Sequence, residues 1–152
     1  MYYSGVAATL FCISLGIHAV ASDTEAVMEQ QTPLQELIAK YRYHAEFEER
    51  DLTDINQQPY PDADLLIHLV ARVGSPDELD LLVKSGARVN AAGDMGFTAL
   101  HNAAGTGRTE NAEKLLALGA DPDLRNEWGN TPEETALNGG YGDVVKLLTR
   151  DK

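Results

Sequence analysis

Self-similarity at a fixed offset of 33 residues constrains this chain more than any other feature. Gly74, Gly107 and Gly140 fall in register, as do His68 with His101, Gly86 with Gly119, Ala87 with Ala120, Gly96 with Gly129 and Thr98 with Thr131. A period kept without slip across three blocks implies stacked supersecondary units, each too small to bury its apolar face alone. The expected architecture is a short solenoid. Helix starts are written locally: Thr131-Pro132 with Glu134, and Ser75-Pro76 with Glu78, each supply an N-cap hydroxyl, a first-turn proline and a carboxylate at the third helical position. Thr32-Pro33-Leu34-Gln35 repeats the signal one period before Leu65, which predicts a leading helix from residue 33. Its Leu34, Leu37, Ile38, Tyr41 and Ala45 keep helical spacing.

The second block reads Asp94-Met-Gly-Phe-Thr98-Ala-Leu-His101-Asn-Ala-Ala104-Gly-Thr-Gly107, then Leu115-Leu116-Ala-Leu-Gly119-Ala-Asp121. It resembles the ankyrin repeat, whose pattern is Gly-x-Thr-Pro-Leu-His-x-Ala-Ala, then Gly, then Leu-Leu-x-x-Gly-Ala-Asp. The flanking blocks depart from that pattern as terminal repeats do: the first lacks Thr-Pro, while the third has Glu134 for His and Leu137 for the second Ala. The resemblance implies an all-α repeat solenoid of helix-turn-helix units with short β-hairpin-like fingers. The expected organisation is a signal peptide over 1–21, an acidic helical cap or diverged first repeat over 22–60, repeats over 61–93 and 94–126, and a truncated repeat over 127–152.

Several structural roles follow. Gly86 and Gly119 stand where a helix ends in a positive-φ residue and the chain reverses. The resemblance implies that Thr98, His101, Thr131 and His68 serve the fold, with each histidine bonding nearby hydroxyl and backbone groups. It also places a binding wall on the fingers and the exposed side of the first helices. Asp94, Met95, Phe97, Glu127, Trp128 and Asn130 then fall on the fingers, with Asn102 and Thr106 on the helical side. Arg72, Val73, Gly105, Asn138 and Gly139 map to or near the same side. Trp128 and Phe97 admit two readings, anchors for a partner or glue between adjacent fingers.

Composition suggests an address. Residues 1–21 contain no Asp, Glu, Lys or Arg, and an apolar run from Val6 to Ile17 ends in Ala19-Val20-Ala21 before Ser22-Asp23. That layout predicts export to a periplasm or the extracellular space, either with cleavage after Ala21, which leaves no stable membrane span, or with the segment kept as an uncleaved anchor. The sole cysteine, Cys12, lies within this segment, so the remainder would fold without a disulfide.

Catalytic parts are missing: there is no Gly-x-Ser-x-Gly, no phosphate-cradling glycine loop and no His-Glu-x-x-His. Asp121-Pro-Asp123-Leu-Arg125-Asn126 fails as a calcium loop, because Arg125 replaces an oxygen ligand and Asn126 the turn glycine. The chain is read as non-enzymatic, with no metal and no cofactor; a metal site or enzyme built on His68 and His101 is the rival. Residues 22–64 carry 11 acidic and 3 basic side chains, against 13 and 9 over 65–152. This balance disfavours a nucleic-acid binder, which usually presents a basic face. It also suggests steering of a basic protein partner toward Glu46-Phe-Glu48-Glu49-Arg-Asp51. The expected function is an exported protein, monomeric when unbound, that grips a partner through its concave face. Roles consistent with that are a periplasmic immunity protein blocking a secreted antibacterial toxin, or a periplasmic accessory factor in stress defence; self-association through Trp128 and Phe97 is a further alternative.

Overall fold

Where a hydroxyl or carboxylate can take the first free N–H groups of a turn, the chain becomes helical. In the computed structural model, which describes residues 32–42, 55–56 and 64–150, seven α-helices form and no strand is present among those residues. They are α1 (Pro33–Tyr41), α2 (Leu66–Val73), α3 (Pro76–Lys84), α4 (Ala99–Gly105), α5 (Thr109–Ala117), α6 (Pro132–Gly139) and α7 (Gly142–Arg150). All belong to one compact unit, Thr32–Lys152; the signal segment expected over 1–21 and the acidic stretch around Glu46 lie outside the described residues.

Reciprocal capping boxes open α1, α3, α4 and α6. Thr32, Ser75, Thr98 and Thr131 each accept a hydrogen bond from the third residue of the helix, whose side chain bonds back to the cap N–H. α2 has Leu65 at the cap position, so only the returning half survives, Leu65 N–H to His68 Nδ1 at 2.9 Å. The outer helices α3 and α5 end alike. Gly86 (φ 98°) and Gly119 (φ 90°) take the left-handed turn, and the next residues, Ala87 and Ala120, each return an N–H to Leu82 and Leu115 O at 2.9 Å. The reversal needs positive φ, which a side chain at either position would oppose.

Helices pair within each block, α2 with α3, α4 with α5 and α6 with α7. The pairs then stack in two rows, α2, α4, α6 on the inner side and α1, α3, α5, α7 on the outer. In the inner row α4 contributes the small residues Ala99, Ala103 and Ala104, all with no exposed surface. Leu69, Leu79, Leu82, Leu100 and Leu115 fill the space between the rows. Each unit thus buries apolar side chains against its neighbours, as the 33-residue period requires.

α1 departs from its sequence register. One period before Leu65, Thr32 should open an inner-row helix; instead α1 packs on α3, in the outer row. The Tyr41 hydroxyl donates to Glu78 Oε2 at 2.8 Å, and Lys40 pairs with the other oxygen. Gly74 makes room for this, since a Cβ there would sit 2.8 Å from the Tyr41 oxygen. The connection from Tyr41 to Leu66 is longer than those from Lys84 to Ala99 and from Ala117 to Pro132, so the equal offset does not carry an equal place in the stack.

Between units the orphan carbonyls at the end of α2 are satisfied from the second block. Asn111 Nδ2 donates to Ala71 O at 2.9 Å and Gly74 O at 3.1 Å, and Arg108 donates to Arg72 O and Val73 O. Asn111 is buried, so Asn111→Ala removes the donor to Ala71 O and Gly74 O and is expected to cost about 1–3 kcal/mol in urea unfolding. Leu37, 5% exposed on α1, gives a second check. Leu37→Ala is expected to lower stability by about 2–3 kcal/mol, and an unchanged midpoint would show that α1 contributes nothing to the fold.

Candidate functional site

The two in-register histidines sit at the join between each inner helix and the next finger. His101 Nδ1 accepts from the Thr98 N–H at 3.2 Å and the Thr98 hydroxyl at 2.9 Å, which fixes the ring proton on Nε2. Nε2–H then donates to Asn130 O at 3.0 Å, in the following finger. His68 repeats the arrangement, accepting from Leu65 N–H and donating through Nε2 to Ala91 O at 3.0 Å. Both side chains are fully buried, and burial pushes both pKa values below the ordinary range; for His68 the Asp64 carboxylate partly opposes the shift. Both ring nitrogens of each imidazole are thus engaged in hydrogen bonds within the fold.

In each finger a backbone bond joins the two ends of the turn, Gly93 N–H to Phe97 O at 2.8 Å and Asn126 N–H to Asn130 O at 3.0 Å, with further backbone bonds inside it. The tips are linked by Glu127 N–H to Met95 O at 3.1 Å, and one step earlier Asp64 accepts from the Asp94 N–H at 3.1 Å. Asn126, buried beneath the last tip, accepts from the N–H groups of Trp128 and Asn130 with one oxygen. Arg125 holds the other side of this turn through Gly129 O and ion-pairs with Glu134. The Thr131 N–H bonds Glu134 at 2.7 Å and heads the causes that hold its carboxyl below the usual range.

Phe97 is half-buried, edge-on to His101 (centroids 5.5 Å apart) and to Trp128 (5.4 Å, 83° between planes). Trp128 nevertheless remains 64% exposed and Met95 44%; Met95 also holds φ 52°, a left-handed conformation that costs a non-glycine residue about 1–2 kcal/mol. Asp94 and Glu127 are exposed beside them. The structure thus brings Asp94, Met95, Phe97, Glu127 and Trp128 together across two joined fingers. Asn130 ends the second finger, its carbonyl taken by His101 and Asn126. Asn102 and Thr106 lie on α4 and its C-cap, where the Thr106 hydroxyl donates to Asn102 O and Asn102 Nδ2 has no hydrogen-bond partner.

Some surface and supporting residues escaped the sequence reading. Leu137 is 66% exposed on α6, visible in the sequence as the replacement of a small residue by a large one. Asn90 bridges Gly119 O and the Asp121 N–H, and Asn56 does the same for Gly86 O and the Arg88 N–H, a polar ladder joining successive loops. Only their near-equal offsets from the glycines could have revealed it.

Comparison with known proteins agrees with this geometry. The family described as "Ankyrin repeats (3 copies)" matches residues 24–126 and 67–152, and the chain belongs to the ankyrin-repeat family. Relatives include human ankyrin repeat domain-containing protein 37, 35% identical over 98 residues (64% of this chain, 62% of that protein). Human protein phosphatase 1 regulatory subunit 27 is 32% identical over 89 residues (59% and 57%), and human ankyrin repeat domain-containing protein 63 is 33% identical over 88 residues (54% and 23%). The chain thus spans about three-fifths of the first two. These relatives correct one expectation. They are mammalian ankyrin-repeat proteins, from organisms without a periplasm, and they give export, periplasmic or extracellular, no support. The apolar run and Ala-x-Ala triplet behind that expectation are compositional, and composition alone does not set an address.

The buried imidazoles carry a pH dependence. Because their folded pKa values lie below the unfolded value of about 6.5, protons bind the unfolded chain first as pH falls. Stability is therefore complete above that value and declines below it. The melting temperature is expected to drop between about pH 7.5 and 5.5, with a shallower slope in His101→Gln; a flat profile would contradict neutral, bridging histidines.

Proposed function

We propose that this chain is a non-enzymatic ankyrin-repeat protein that binds another protein through its fingertips and the exposed side of its inner helices. The observation that carries the reading is Trp128: a large aromatic side chain left 64% open on a turn fixed by its neighbours on both sides. Rigid exposed aromatics make good anchors because little freedom is lost when a partner covers them. Met95 and Leu137 are further exposed apolar side chains, and the proposed face also includes Asp94, Glu127, Asn102, Thr106 and Asn130. The name of the phosphatase regulatory subunit among the relatives supports a protein, not a small molecule, as the partner. The immunity and stress-defence roles both required a periplasm and fall with it.

In this proposal Phe97 takes the second of its readings, glue between adjacent fingers, as the buttress on which the tryptophan stands. Trp128→Ala is accordingly the cleaner variant. Affinity capture with the full chain is expected to recover a specific protein that Trp128→Ala binds at least about 30-fold more weakly, while stability changes by less than about 1 kcal/mol. Retention of the same protein by Trp128→Ala at unchanged affinity would overturn the assignment of the face.

A further inference from the structure

The two fingertips repeat one chemical pair. Asp94-Met95 and Glu127-Trp128 stand one period apart, each an exposed carboxylate followed by an exposed large apolar side chain. They are joined directly, Glu127 N–H to Met95 O. Neither carboxylate has an ion-pair or hydrogen-bonding partner among the described residues, although most of the acids around them do: Asp64 is bonded to the Asp94 N–H, and Glu134 to Arg125 and Thr131. Arg125, the cation nearest in sequence to the second tip, is already committed to Gly129 O and Glu134. The tips thus keep uncompensated negative charge next to an open indole, and an open indole with flanking carboxylates is the surface that attracts a guanidinium or ammonium group.

We propose that the fingertips hold an extended, cationic peptide segment, with an Arg or Lys side chain on Trp128 flanked by Glu127 and Asp94, and an apolar side chain on Met95. The spacing favours an extended chain. Successive repeats stack at the distance of packed helices, roughly 9 Å. A polyproline II strand returns to the same face every three residues, also roughly 9 Å, so side chains at i and i+3 match consecutive tips. Such a strand enters binding with little conformational freedom to lose, and the hydrogen-bonded turns beneath the tips have as little. This inference rests on the proposed binding face and specifies what occupies it.

Trp128 is the chain's single tryptophan, so fluorescence excited selectively at the indole, clear of the six tyrosines, reports this site. The full chain is titrated with a peptide of three Leu-Pro-Pro-Arg units and with the same peptide carrying Gln for Arg. A saturable change is expected with the arginine peptide. Binding should weaken at least about tenfold for the glutamine peptide, in about 0.5 M salt, and in the double variant Asp94→Asn, Glu127→Gln. That variant should melt as the parent does, since neither carboxylate has an ion-pair or hydrogen-bonding partner among the described residues. Equal responses to both peptides, no response to either, or full binding by the double variant would overturn the proposal. If a captured protein is lost by Trp128→Ala yet kept by the double variant, the face stands and the cation falls. Concentration-dependent dimerisation abolished by Trp128→Ala would instead make a second copy of the chain the occupant, and would also overturn it.

Discussion

The stack depends on polar groups in one repeat being satisfied by the next. His68 and His101 reach from an inner-helix cap into the following finger, Asn56 and Asn90 from one loop into another, and Arg108 and Asn111 from the second repeat to the end of α2. Apolar burial drives the units together, but it is nondirectional. The hydrogen bonds fix how one unit sits on another, since any slip would leave buried carbonyls or imidazole nitrogens without partners. Neutral histidine suits the task because it offers one acceptor and one donor on opposite sides of a rigid ring.

That registration explains how a site can be built on turns. Finger residues contribute little core, and an isolated turn of this length would not hold one shape. Here Asn126 and Arg125 grip the last turn from below, Met95 O from the side, and Phe97 transmits contact from His101 to Trp128. Residues that keep the fold and residues that face outward are thus in direct contact, and the left-handed backbone at Met95 is tolerated because neighbours on both sides hold it.

Features set by local backbone chemistry were legible in the sequence. The period, the Thr-Pro and Ser-Pro caps, and the positive-φ glycines at 86 and 119 each depend on a few adjacent residues, so their spacing carries over into the structure. The fingertip residues could be named from the same register. What the register could not supply was the row in which α1 lies, because a cap signals where a helix begins and not what it packs on. Nor could it show that Phe97 is a support while Trp128 stays open, which depends on contacts between fingers a full repeat apart. The asparagine ladder was hidden for a related reason, since Asn90 in a loop looks like any other turn residue until its partners a repeat away are seen.

Stacking on the preceding finger, and not the turn alone, holds the last fingertip in place. Amide hydrogen exchange at Glu127, Trp128 and Asn130 tests it most directly, because their N–H groups bond to Met95 O and to the Asn126 side chain. The account predicts that these three amides exchange in step with core amides of α4 such as Ala103. Exchange at the rate of an open peptide, while α4 stays protected, would show that the tip moves freely and would contradict it.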